Sequence, residues 1–178
     1  MEATHFTIRR ERPEDMAAIH AVVAAAFEPE PVAEMVEAIR KSKHYTPEMA
    51  LVAEVEGAIV GHVMISGATL HSGDTEHPIV MLSPLAVSEP QRRQGIGAAL
   101  VRAVCSIADE RGEPLIIVEG DPAYYGRFGF EHSLLHGIEI DLPDWAPPEA
   151  AQVMRLANYD SLLTGKVIYP PAFDIVAE

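Results

Sequence analysis

The chain is poor in cysteine, in positive charge and in long apolar runs, and each shortage excludes a class of protein. A single cysteine, Cys105, in 178 residues leaves no internal disulfide framework and no multi-cysteine metal site. No apolar run approaches the roughly 20 residues of a membrane-spanning helix. The longest, such as Ala21–Phe27, suit one face of a helix. The opening Met1-Glu2-Ala3-Thr4-His5 is not basic and no apolar stretch follows it, so no secretory signal is expected and the expected compartment is the cytoplasm. Thirteen Lys and Arg stand against 27 Asp and Glu, a formal net charge of -14 with His neutral. A surface of that sign repels nucleic acid and anionic membrane, favours cationic partners such as amines, and keeps a protein soluble.

Hydrophobic residues make up 48% of the chain, enough to build a core and too many for a disordered polymer. Thr4–Arg10 can alternate as a first strand. Pro13, Glu14 and Asp15 suit a helix start, and Met16, Ile19, Val23 and Phe27 recur at helical spacing. Glu28-Pro29-Glu30-Pro31 breaks that helix, and Val32, Met35, Val36 and Ile39 mark the next. The period then becomes strand-like. Ala50–Val55 and Ala58–Leu70 flank Glu56-Gly57, a hairpin turn, with Gly61 and Gly67 marking a bulge or close backbone approach. His71–His77 reads as a polar loop, and Ile79–Val87 as a buried strand distorted at Pro84. A helix from Ile96 to Arg111 follows, with Gly112 as its C-terminal glycine. Leu115–Val118 is a buried strand, Asp121-Pro122 a helix start and Gly129 its end. Ile138–Leu142 and Gln152–Leu156 are candidate strands among the prolines of the last segment.

The informative segment is Leu85–Leu100, where a strand passes through Arg92-Arg93-Gln94-Gly95-Ile96-Gly97-Ala98 into a helix. Glycine lets backbone N–H groups turn toward one point and lets a ligand approach closely. A helix N-terminus adds unpaired donors and partial positive charge, and the two arginines add full charges. A pyrophosphate is the expected guest. Neither nucleotide fingerprint fits, since Leu100 holds the third glycine position of the dinucleotide motif and no Gly-Lys-Ser/Thr is present.

Arg92-x-x-Gly95-x-Gly97, with Tyr125-Gly-Arg-Phe-Gly129-Phe130 about thirty residues on, resembles the GNAT superfamily of N-acetyltransferases. The likeness extends through Gly120–Phe130 to a subgroup of predicted bacterial acetyltransferases. It spans residues 6–142 and leaves 143–178 as a C-terminal extension completing or packing on the same domain. It implies an α/β (α+β) fold, a mixed, mostly antiparallel central sheet with a splayed fourth and fifth strand and flanking helices. It implies acetyl-CoA as co-substrate, no metal, and direct transfer of the acetyl group to an amine on a small molecule or peptide. Dimers are common in the superfamily, so a homodimer is one expectation. Leu85, Ala86 and Val87 lie where the splayed strand meets the pantetheine arm, and Arg92, Arg93, Gln94, Gly95, Ile96, Gly97 and Ala98 where main-chain N–H groups hold the pyrophosphate. Distortion at Ser83-Pro84 would expose a donor to the thioester oxygen. Tyr125 has the spacing of the tyrosine that protonates the departing thiolate, and the neighbouring Tyr124 competes for that role. Many relatives carry an asparagine after the fifth strand, where this chain has Val118-Glu119-Gly120-Asp121.

Glu119, at the end of the fifth strand, is the first candidate for general base, followed by Glu76 and His77. Each has a plainer reading as a solvated surface residue. Cys105 sits where a small buried hydrophobe is expected on the glycine-loop helix, which favours packing over nucleophilic chemistry. His132 and His136 have i, i+4 spacing but lie outside any expected helix, and Trp145 covers either an acceptor cleft or a loop. The alternative to an enzyme is a non-catalytic acyl-CoA-binding sensor or regulatory module, which needs the loop but not Tyr125.

Overall fold

In the computed structural model, which describes residues 2–177, one nine-stranded sheet organises the chain. The strands are β1 (Thr7–Arg10), β2 (Ala50–Val55), β3 (Ala58–Ser72), β4 (Thr75–Val87), β5 (Leu115–Glu119), β6 (Glu131–His132), β7 (Ile138–Glu139), β8 (Ala151–Arg155) and β9 (Gly165–Ile168). The helices are α1 (Met16–Phe27), α2 (Val32–Arg40), α3 (Ile96–Glu110) and α4 (Pro122–Tyr125). The sheet runs β1-β2-β3-β4-β5-β8-β6, with β9 against the far half of β3 and β7 against β9. Neighbours are antiparallel except β4 with β5 and β7 with β9.

Alternation on the strands divides the core into two layers. Val52, Met64, Leu70, Met81 and Ile117 face α1 and α2, while Leu51, Val63, Ile65, Leu82 and Val118 face α3. Leu100, Val101, Val104 and Ala108 of α3 are fully buried, and burial of a leucine or valine side chain contributes roughly 1.5–3 kcal/mol. Glu56 (φ +49°) and Gly57 (φ +81°) make the β2–β3 turn with both residues left-handed, the geometry that matches strand twist. Gly61 has both properties foreseen for it. The β2–β3 register shifts beside it, and a Cβ there would stand 3.0 Å from Leu100 Cδ1.

The β4–β5 junction shapes the functional region. Val63 pairs with Leu85 and Ile65 with Leu82, so Met64 alone faces Ser83 and Pro84, a bulge at the expected point. The parallel pairing of β4 with β5 consists of Val80–Ile116 and Met81–Ile117. Beyond those residues the two strands separate, which opens the sheet where β4 leads to the glycine loop.

Two expectations change, and one strand was not foreseen. His71–His77 is not a loop: Ser72 pairs with Thr75, His71 with Glu76 and Leu70 with His77, leaving Gly73-Asp74 as the turn. Cross-strand pairing overrides the polar composition there, and β9 covers the other edge of Thr69–His71. Ile138–Leu142 contributes only the two-residue β7. Gly165–Ile168, too short and irregular to read as a strand, is β9. Residues 143–178 therefore supply two strands of the common sheet, with β8 seated between β5 and β6.

Candidate active site

The glycine loop turns through Arg93 (φ +64°) and Gly95 (φ +83°), and Gly95 is the N-cap of α3. The left-handed value at Gly95 suits a residue without Cβ. Ala99 N–H bonds Gly95 O at 3.0 Å, so the N–H groups of Ile96, Gly97 and Ala98 lie in the first turn, ahead of the helical ladder. Arg92 Nε donates to Val87 O at 3.0 Å, tying the loop back to the end of β4.

A cleft of about 630 Å³ opens over this loop. Leu85, Ala86, Val87, Arg92, Arg93, Gly95, Gly97 and Ala98 line it, together with Ala26 and Phe27 from the end of α1, Gln91, Tyr124 and Arg127. Three arginines thus converge on one cleft of a protein with net charge -14, beside the positive end of a fifteen-residue helix. Such an arrangement can hold an anion at one end. The apolar wall of Leu85, Ala86, Val87, Ala26 and Phe27 suits an uncharged chain at the other.

Two loop residues point elsewhere. Gln94 donates to Pro90 O at 3.2 Å and accepts from Thr4 Oγ1, and Ile96 is buried in the core beneath α3. Only their backbones remain available to a ligand at the loop. Ala26, Phe27, Gln91 and Arg127 were not singled out from the sequence. Arg127 had a signal, because it lies three residues after Tyr124, a spacing that stacks side chains on one helical face. The guanidinium sits 4.7 Å from the Tyr124 ring centroid and Nε donates to Tyr124 O at 3.2 Å. Ala26 and Phe27 had none, since their place depends on how α1 packs.

The two tyrosines separate clearly. Tyr124 faces the cleft, and a Cβ added to Gly97 would stand 2.8 Å from its hydroxyl. Tyr125 turns toward the α3 layer of the core, where its ring meets Phe130 at 5.6 Å between centroids. It lies so close to Gly120, at the exit of β5, that a Cβ there would be 2.5 Å from the ring. Burial raises the Tyr125 hydroxyl above its ordinary pKa, with Tyr124 and Cys105 adding to the effect. Burial also raises that of Tyr124, partly offset by Arg127. Both phenols stay protonated at neutral pH.

Glu119 ends β5, two residues past its last pairing with β4. Burial raises its carboxyl above the usual range, and the Tyr169 hydroxyl, which donates to Oε2 at 2.5 Å, partly opposes that. Glu76 and His77 sit instead on the β3–β4 hairpin, where Glu76 faces His71 at 3.3 Å, and neither lines the cleft. Cys105 is buried and its thiol is pushed up to about 12, so it is a packing residue. His132 lies in β6 and His136 in a single helical turn, and no group of three or more potential metal ligands occurs among the described residues. Trp145 stands 82% exposed on a loop. At the turn into α4 the Asp121 carboxylate accepts from Ala123 N–H at 2.9 Å.

Comparison with known proteins agrees with this geometry. A model of the GNAT acetyltransferase domain matches residues 7–133. YhbS of Escherichia coli, described as an uncharacterized N-acetyltransferase, is 35% identical over 170 residues, covering 94% of this chain and 98% of its own. The crystal structure of that protein in complex with CoA superposes with a TM-score of 0.85 at 33% identity, covering 98% of this chain and 94% of the other. A GNAT family acetyltransferase from Brucella melitensis in complex with acetyl-CoA gives 0.77 at 31% identity, over 96% and 99% of the two chains.

Proposed function

Because this chain belongs to the GNAT family of N-acetyltransferases, we propose that it moves an acetyl group from acetyl-CoA directly to a primary amine within a ternary complex. The observation that carries this reading is the cleft, in which an α3 N-terminus and three arginines meet an apolar wall along β4. The chain's residues fit the co-substrate. Gly97 leaves open the space a Cβ would take, and the loop offers N–H donors and guanidinium groups to a pyrophosphate. The apolar face of Leu85, Ala86 and Val87 suits the pantetheine arm. Similar chains have been crystallised with CoA and acetyl-CoA.

Bound acetyl-CoA supplies an acetyl group activated as a thioester. The residues of this chain then divide the remaining work. The β4 bulge at Ser83-Pro84 frees backbone polar groups from the sheet ladder, and a donor there would hold the charge that develops on the carbonyl oxygen. Tyr125 is the proposed acid for the departing sulfur. It has the family spacing, its ring lies on Gly120 where β4 and β5 part, and burial keeps its proton in place. Burial holds Tyr125 above the ordinary phenol value, so its proton stays in place at neutral pH and moves to sulfur only as the C–S bond breaks and charge develops there. Tyr124, which faces the cleft beside Gly97, is assigned to co-substrate binding. Glu119 is the proposed base for the ammonium proton of the acceptor, and the acidity of the chain favours a cationic small molecule or peptide amine.

Calorimetric titration of acetyl-CoA into wild type, Gly95→Glu and Arg92→Ala tests the reading. Saturable binding that weakens in Arg92→Ala and is lost in Gly95→Glu is expected, followed by thiol release when primary amines are added. A folded wild type without measurable binding would refute it.

A further inference from the structure

The C-terminal segment reaches the sheet opening, and it does so with a polar side chain. Tyr169 follows β9, whose pairing with Thr69–His71 of β3 fixes where the chain emerges. Its ring packs on Phe173 at 5.3 Å between centroids, and Phe173 is itself buried in the α1–α2 layer of the core. From that anchored position the hydroxyl donates to Glu119 Oε2 at 2.5 Å, across 50 residues of sequence.

The face on which this contact forms matters. Along β5, Leu115 and Ile117 point to the α1–α2 layer and Ile116 and Val118 to the α3 layer, so Glu119 falls on the α1–α2 side. The α3 N-terminus and its arginines hold the opposite end of the cleft for an anion. Glu119 lies outside the residues that line the cleft, two positions past the last β4–β5 pairing, so it borders the parting of the two strands on the α1–α2 side, where an amine could reach it.

We propose that Tyr169 is a positioning residue for Glu119, holding one carboxylate oxygen so that the other takes the proton of the incoming ammonium group. The inference rests on the acetyl-transfer reading above and deepens it by making the C-terminal segment part of the acceptor site. The proton balance is complete. Glu119 accepts one ammonium proton and later releases it to solvent. The neutral amine forms the C–N bond as the C–S bond breaks, and the bond's electron pair leaves on sulfur, which takes the Tyr125 proton. The second proton shed by nitrogen returns through water to the Tyr125 oxygen.

The groups that bear on Glu119 can be named. Tyr169 faces it directly, and Asp141, paired with Lys166 at 3.0 Å, bears on the Tyr169 hydroxyl. Loss of the Tyr169 hydroxyl removes a hydrogen bond to the ionised carboxylate, which raises the pH at which Glu119 loses its proton. For a partly exposed pair the expected rise is about half to one pH unit.

The experiment compares wild type, Tyr169→Phe and Glu119→Gln by three readouts. These are CoA affinity by calorimetry, Glu119 titration by carbon-13 NMR, and the pH profile of kcat/KM for thiol release from acetyl-CoA with butylamine as the probe. In Tyr169→Phe the expected result is unchanged CoA affinity, an upward move of the Glu119 titration, and the acid limb of the rate profile moving by the same amount. In Glu119→Gln that limb disappears. A Glu119 titration that does not move overturns the pairing, and a titration that moves without the rate limb overturns the base role. Wild type that binds CoA but releases no thiol to butylamine also overturns the base role. Absence of CoA binding by the wild type instead overturns the acetyl-transfer reading itself.

Discussion

Gly97→Ala separates stability from ligand binding. Gly97 occupies the first turn of α3 and lies outside the left-handed region, so alanine meets no backbone strain and gains up to about 1 kcal/mol of helix propensity. The new methyl would stand 2.8 Å from the Tyr124 hydroxyl, against the 3.4 Å at which ordinary contact begins. The ring must therefore move by several tenths of an ångström. It is held by edge contacts to Tyr125 at 5.0 Å and Phe128 at 5.4 Å, and by the Arg127 guanidinium. Such contacts are worth about 0.5–1.5 kcal/mol each, and loosening them costs roughly the propensity gain. Net stability should stay within about 1 kcal/mol of wild type. CoA affinity should fall about tenfold or more, some 1.4 kcal/mol, because the methyl enters the space between loop and tyrosine. Urea denaturation reads the first quantity and calorimetry the second. Adding Tyr124→Phe removes the clashing oxygen, so the two losses of affinity should be less than additive, the coupling expected of residues in contact. CoA binding in Gly97→Ala within twofold of wild type, with stability unchanged, would refute the placement of the ligand against Gly97.

Other outcomes follow from the same contacts. Tyr125→Phe should lower kcat by about a hundredfold with CoA affinity kept, the size of effect general acid catalysis usually shows. Tyr124→Phe should mainly weaken CoA binding, and the reverse pattern would transfer the acid role to Tyr124. Removing Glu11, which accepts from Arg40 at 2.5 Å and stands 3.1 Å from the buried His62, should destabilise the fold by about 3 kcal/mol in urea denaturation. The pH dependence has a definite sign. Arg9 holds the Asp15 carboxyl below its ordinary value, and at Glu11 burial pushes upward but His62 and Arg40 outweigh it. Carboxyls depressed on folding contribute stability above their unfolded pKa, near 4, and lose it as pH falls through the folded values. Burial holds His62 below its ordinary value, so the urea midpoint should begin to fall below about pH 6.5 and fall more steeply below about 5, where Arg9→Ala should soften it; a midpoint unchanged down to pH 3.5 would contradict this. Cys105 should resist alkylating reagents in the native protein and react on unfolding, as followed by mass spectrometry, since burial raises its thiol to about 12.

How much was legible beforehand depends on the range of each interaction. Period and turn chemistry are local, so α1, α2, α3, the Glu56-Gly57 hairpin and the bulge at Pro84 could be read from neighbouring residues. Arg92-x-x-Gly95-x-Gly97 was legible for the same reason, because a tight turn into a helix restricts its own residues. The strand at Gly165–Ile168 was not, since it exists through β3 and β7 rather than through a pattern of its own. Polar composition misled at His71–His77, where ladder hydrogen bonds with the opposite strand decide the conformation.

By itself the sequence determined a cysteine-poor, acidic α/β chain with a glycine loop between β4 and α3 suited to an anion, and a family resemblance centred on that loop. Tertiary structure alone decided which tyrosine faces the cleft, because residues adjacent in a helical turn point about 100° apart and only packing against Gly97 and Gly120 selects between them. It alone joined Glu11 to Arg40 and His62, and Glu119 to Tyr169. Those partners lie 29 to 51 residues apart, and no local pattern encodes a meeting that depends on which strands lie side by side.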